Sequence, residues 1–134
     1  MPNIKRPAKL EHLEELIQFV SDCAEERGLT GKRLFQVQLA LEEALVNIVN
    51  YAYPKETGEV EVRCGNDTEG SLVLTILDSG IPFDIRKLPA PDVTASVEER
   101  EIGGLGVFFM HKMADKISYR RDGEQNIVTI TLRK

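Results

Sequence analysis

Ser71-Leu72-Val73-Leu74-Thr75-Ile76-Leu77, followed at once by Asp78-Ser79-Gly80, is the stretch on which the fold of this chain turns. In a strand, Leu72, Leu74 and Ile76 fall on one side and Val73, Thr75 and Leu77 on the other. Both sides are largely apolar, which marks a central strand and not an edge. The strand runs directly into a carboxylate and two turn-forming residues, so a charged group stands at its end.

Working outward, Glu59 to Cys64 alternates and stops at the turn cluster Gly65-Asn66-Asp67. Lys116 to Arg121 and Asn126 to Leu132 form a hairpin around Asp122-Gly123. Residues 3 to 7 suit a short edge strand ending at Pro7. Between these lie two helical patterns. Leu13, Leu16, Ile17, Val20 and Ala24 give one apolar face, stopped by Gly28. Thr30 caps a second helix, whose stripe is Leu34, Val37, Leu41, Leu45, Ile48 and Ala52 and which ends before Pro54. Leu105 to Ala114 reads as a third, short helix. The sum is an α+β two-layer sandwich: a mostly antiparallel sheet covered on one face by about three helices.

The 134 residues suit a single domain, 1–134, with a real core. A net charge of -5 disfavours direct nucleic-acid binding. No apolar run approaches the roughly 20 residues that cross a bilayer, and the start of the chain lacks an apolar signal core. The expected location is cytoplasmic, with no membrane contact. Cys23 and Cys64 lack metal-ligand spacing and read as buried small hydrophobes in a reducing compartment, with a disulfide left open. His12 and His111 have no metal partners at sensible spacing.

Three short motifs follow one another. Glu43 and Asn47 are four residues apart on one helix face. An Asn oxygen suits a hard cation, and a carboxylate beside it can orient or accept a proton. Ordinary helix surface gives the same pattern, and Glu42 is an alternative carboxylate. Asp78 can accept a hydrogen bond from an exocyclic amine such as that of adenine, while Gly80 lets backbone approach a base and Phe83 packs below the base or anchors the loop. A plain turn is the competing reading. Gly103-Gly104-Leu105-Gly106 opens the third helix, where free N–H groups attract phosphate, with Arg100 just upstream. A hinge is the alternative there. The long segment 79–101 has the character of a functional loop. Taken in order, the motifs sketch a site for ATP with Mg2+.

At this point the chain resembles the Bergerat-fold, histidine-kinase-like ATPases, and within them the bacterial anti-sigma regulatory factors that are serine-protein kinases. Glu43 through Pro54 resembles their N box, Asp78 through Asp84 the first glycine box, and Glu99 through Val107 the second; Tyr119 through Asn126 also looks typical. The resemblance implies that Asn47 holds Mg2+, Asp78 reads adenine, Gly104 and Gly106 line the phosphates, and Glu43 is the catalytic base for a substrate serine. It implies ATP-dependent phosphorylation of an anti-sigma-factor antagonist, a possible sigma-factor partner, and a homodimer, which the edge strand near residues 3 to 6 could form. The chain departs from the pattern at Tyr51, where many members carry histidine, in a short segment between Phe83 and Gly103, and in lacking a threonine between the second-box glycines. A nucleotide-gated protein-binding module without kinase activity is the alternative function.

Overall fold

The computed structural model describes residues 2–53, 57–84 and 113–133. Five strands form one antiparallel sheet: β1 (Asn3–Pro7), β2 (Glu59–Asn66), β3 (Leu72–Asp78), β4 (Lys116–Asp122) and β5 (Gln125–Leu132). Their spatial order is β1-β2-β3-β5-β4, so β3 is the middle strand, as its two apolar sides require. The third helix expected over 105–114 lies almost wholly outside the described residues.

Two helices cover one face, α1 (Leu13–Glu26) and α2 (Gly31–Asn47), with a short 3-10 turn at Leu10–His12 leading into α1. The core lies between them and the sheet. Leu16, Val20 and Ala24 of α1 and Val37, Leu41 and Leu45 of α2 meet Val62, Leu74, Ile76, Val128 and Ile130. Register sets the sheet's side of this contact: Ile76 pairs with Val62 and Val128, and Leu74 with Cys64 and Ile130. Leu77 and Ile127 pair on the opposite face and are buried there, apart from that core. Their next neighbours across the sheet are Glu61 and Arg120.

The helix ends show where local rules held and where tertiary contacts replaced them. Gly28 takes a left-handed φ of 89°, and the N–H groups of Arg27 and Leu29 return to the Ala24 carbonyl. Thr30 occupies the N-cap position of α2 in extended conformation, but its side chain makes no capping hydrogen bond. Arg33, in the first turn, ties that end of the helix to the rest of the chain by donating to the backbone carbonyls of Arg133 and Met113 and to Asp115 Oδ2 at 2.7 Å. The strand β2 also runs two residues further than the turn cluster implies, through Gly65 and Asn66 paired with Val73 and Leu72.

The largest departure is in the second helix. It does not continue as an α-helix to Pro54: after Asn47 it widens into a π-helical turn, Ile48–Ala52. Ile48 and Ala52 still face the core, so the apolar stripe reads unbroken through a change of helix type.

Cys23 of α1 and Cys64 of β2 are joined as a disulfide across the core, which corrects the reading of two free thiols. Their Cα atoms stand 6.5 Å apart and 41 residues separate them in sequence. The helix periodicity and the strand alternation each point one cysteine inward, and the register brings them face to face. Closing a loop of this length restricts the unfolded chain, so reduction with dithiothreitol is expected to lower the unfolding free energy by about 2–4 kcal/mol. Urea denaturation with and without reductant measures this. Equal stability, with two titratable thiols in unreduced protein, would contradict it.

Candidate functional site

The end of α2 and the end of β3 come together at one edge of the sandwich. On α2, Asn47 is almost fully buried, deeper than a residue flanking the apolar stripe was expected to be. Its Nδ2 donates to the Glu43 carbonyl at 2.8 Å, which fixes the amide's orientation. Its Oδ1 is buried and has no hydrogen-bond partner among the described residues. An orphaned buried acceptor costs on the order of 1–3 kcal/mol unless something fills it. Glu43, one turn earlier, is half-buried, and loss of solvent pushes its carboxyl above the ordinary range, with Glu42 adding to the shift. Glu42 itself is exposed, so burial separates the two candidate carboxylates in favour of Glu43.

Asp78 is buried at the end of β3. Its Oδ1 accepts from Gly80 N and from Asn126 Nδ2, both at 2.9 Å. The loop beyond it is clamped from two sides. On the helix side, Ile81 N donates to the carbonyl of Ala52, the last residue of the π turn, at 2.9 Å. Tyr53 OH accepts from Ser79 N and donates to the Glu59 carbonyl. A Cβ on Gly80 would collide with the Ala52 carbonyl. The glycine is therefore demanded by close approach to the π turn; its φ is not left-handed. On the hairpin side, Arg121 Nη1 donates to the Gly80 carbonyl at 2.8 Å, and Asn126 binds both Ile81 O and Phe83 N.

Phe83 stacks on Tyr51, with centroids 5.5 Å apart and planes 28° from parallel. That contact makes it an anchor of the loop against the helix end, one of its two expected roles. Tyr51 thus has a packing duty at the position where the family pattern carries histidine. Arg100, Gly103, Gly104, Leu105 and Gly106 lie outside the described residues. His12 is half-buried beside Glu11 and Glu15, and His111 is not described. Among the described residues no three His, Cys, Asp or Glu side chains converge as a metal site. One amide oxygen beside a triphosphate does not require such a cluster.

Four contributors escaped the sequence reading as site residues: Ala52, Tyr53, Arg121 and Asn126. Tyr53 and Ala52 act through a hydroxyl and a backbone carbonyl, which leave no pattern. Arg121 and Asn126 flank the hairpin turn, and only the β3–β5 register, which pairs Asp78 with Asn126, reveals their proximity to the loop.

The fold and this paired edge define an ATP-binding, kinase-like domain. The family described as histidine kinase-like ATPase domain matches residues 6–132, and the chain belongs to that family. It is 28% identical over 123 residues to the serine-protein kinase RsbW of Bacillus thuringiensis (strain Al Hakam) and to that of Bacillus cereus (strain 03BB102), covering 89% of this chain and 76% of each relative. Among solved structures, the RsbU and RsbW domains of Rv1364c from Mycobacterium tuberculosis superpose with a TM-score of 0.64 at 12% identity, over 99% of this chain and 32% of that one. The histidine kinase domain of the blue-light activated kinase EL346 from Erythrobacter litoralis gives 0.54 at 18% identity, over 90% and 60%. This chain therefore spans less than two thirds of those two structures, and at such identities they share its fold. Among the described residues no helix is long and apolar enough to cross a membrane.

Burial pushes the Asp78 carboxyl above its ordinary value, and the hydrogen bonds from Asn126 and Gly80, with the Arg121 charge, only partly oppose it. A raised folded-state value means that ionisation costs stability as pH rises through the carboxylate range. Asp78→Asn keeps an oxygen for both donors and removes the charge. The variant is expected to melt above wild type near neutral pH, with the gap closing below about pH 4. A variant less stable than wild type at neutral pH would show that the donors outweigh the burial.

Proposed function

We propose that residues 1–134 act as one ATPase domain with serine-protein kinase activity, transferring the γ-phosphoryl of ATP to a serine of an anti-sigma-factor antagonist. The observation that carries this reading is the orphaned Asn47 Oδ1, buried one helical turn from a half-buried carboxylate. The RsbW relatives, named as serine-protein kinases, support the choice of acceptor.

Asn47 Oδ1 is the atom that would hold Mg2+, which when bound offsets triphosphate charge. Its Nδ2 is already committed to the Glu43 carbonyl, so the oxygen stays presented without rearrangement. Asp78 takes the adenine amine, Gly80 and Phe83 shape the floor beside it, and Gly103, Gly104, Leu105, Gly106 and Arg100 receive the phosphates. Glu43 accepts the proton of the incoming serine hydroxyl. The serine oxygen bonds to the γ-phosphorus as the bond to the ADP oxygen breaks, in line. Its raised proton affinity makes Glu43 a better acceptor than a fully solvated carboxylate. The partners include a sigma factor, released when the antagonist is unphosphorylated.

The decisive assay incubates the protein with γ-labelled ATP, Mg2+ and purified antagonist candidates. Glu43→Gln is expected to reduce serine labelling by about 100-fold or more, the usual weight of a general base, while nucleotide binding persists. Undiminished labelling in the variant would overturn Glu43 as the base. ATP binding with no labelling of any candidate by the wild type would favour the nucleotide-gated binding module.

β1 is an outer strand of the sheet, with one edge unpaired by β2. We propose that two copies associate through that edge. Light scattering after size exclusion should give twice the chain mass, and a monomer at all concentrations would contradict this.

A further inference from the structure

Asn126 is buried, and every polar group on its side chain is engaged. Oδ1 receives three donors: Tyr119 OH at 2.6 Å, Phe83 N at 3.2 Å and Arg121 Nη1 at 3.2 Å. Three donors around one atom leave no doubt which end of the amide is oxygen. The NH2 group is therefore forced toward the other side, where it donates to Asp78 Oδ1 at 2.9 Å and to the Ile81 carbonyl at 2.7 Å. With Gly80 N also on Asp78 Oδ1, that oxygen carries two donors. Asp78 Oδ2 has no hydrogen-bond partner among the described residues.

We propose that Asn126 is a positioning residue that determines base specificity, pinning one oxygen of Asp78 so that the other is presented in a single orientation to an exocyclic amine. The inference rests on the reading of Asp78 as the group that takes the adenine amine. Its physical content is directional. A carboxylate with no fixed partner rotates about its Cβ–Cγ bond and offers its oxygens in several directions. One held at Oδ1 by two donors offers Oδ2 in one, and an acceptor-only Oδ2 rejects a base with a carbonyl in place of the amine. The same amide also holds Ile81 O and Phe83 N, so the carboxylate and its following loop are set by one side chain. Tyr119 and Arg121 act one step further back, by keeping the amide from turning over.

The probe is inosine triphosphate, which carries a carbonyl where ATP has the amine and is otherwise equivalent at the phosphates. Calorimetry on the whole chain with Mg2+ gives the ratio of the two dissociation constants. Wild type is expected to prefer ATP, and Asn126→Ala to lower that preference by about tenfold, as expected for a hydrogen bond to a charged group. A structural contribution alone would weaken both nucleotides equally and leave the ratio unchanged, which would overturn the inference. Should Asn126→Ala not fold, Tyr119→Phe removes the shortest of the three donors that keep the amide from turning over, and a smaller loss of the same preference, with ATP and inosine triphosphate not weakened equally, is expected. A wild-type protein that binds both nucleotides equally would instead sink the reading of Asp78 itself, whatever the variants do.

Discussion

The loop that follows Asp78 is held between two elements that have no sequence relation to each other, and most of the site depends on that clamp. On one side the Ala52 carbonyl takes Ile81 N; on the other Asn126 takes Ile81 O and Phe83 N. The π turn makes the first contact available. Helix ends leave carbonyls without internal partners, and here the last of them meets the incoming loop so closely that Gly80 has no room for a side chain. Asn47 stands immediately before this turn. The clamp therefore fixes the distance between the amide on the helix and the carboxylate on the strand, through packing that needs no contact between the two.

Both central groups are held in unfavourable states. Asp78 keeps a carboxylate in a buried position, and Asn47 keeps an amide oxygen without a partner. Each would be relieved by a group that none of the described residues supplies: a donor at Asp78 Oδ2 and a cation or donor at Asn47 Oδ1. Concentration of such costs at one edge of an otherwise well-packed sandwich is the signature expected of a site built for a ligand. The rest of the chain offsets those costs, through the core between helices and sheet and through Arg33, which ties α2 to the far end of β5.

Much of this was legible in the sequence because it follows periodicity. The two apolar sides of Leu72 to Leu77 placed β3 in the middle of the sheet, and the stripes on both helices gave the buried faces. Glu43, Asn47 and Asp78 were visible as residue types at meaningful positions. The π turn was not visible, because Ile48 and Ala52 serve the core equally well in either helix type. Thr30 takes the cap position without the capping bond, and the contacts of Arg33 in the same turn lie some hundred residues away in sequence, where no local pattern shows them. The cysteine pair was missed because pairing depends on how helix and strand are set against each other, and composition alone favoured free thiols. Asn126 reads as a hairpin flank until the register sets it opposite Asp78.

We propose that the clamped edge presents Asp78 Oδ2 and Asn47 Oδ1 together to one nucleotide. A crystal structure of the protein with Mg2+ and a non-hydrolysable ATP analogue is the test. The adenine amine is expected on Asp78 Oδ2, with Asn47 Oδ1 in the metal's coordination shell and the loop from Ser79 to Phe83 unmoved. A nucleotide bound elsewhere, or one bound here with Asn47 Oδ1 still unpartnered and Asp78 turned away from the base, would contradict it.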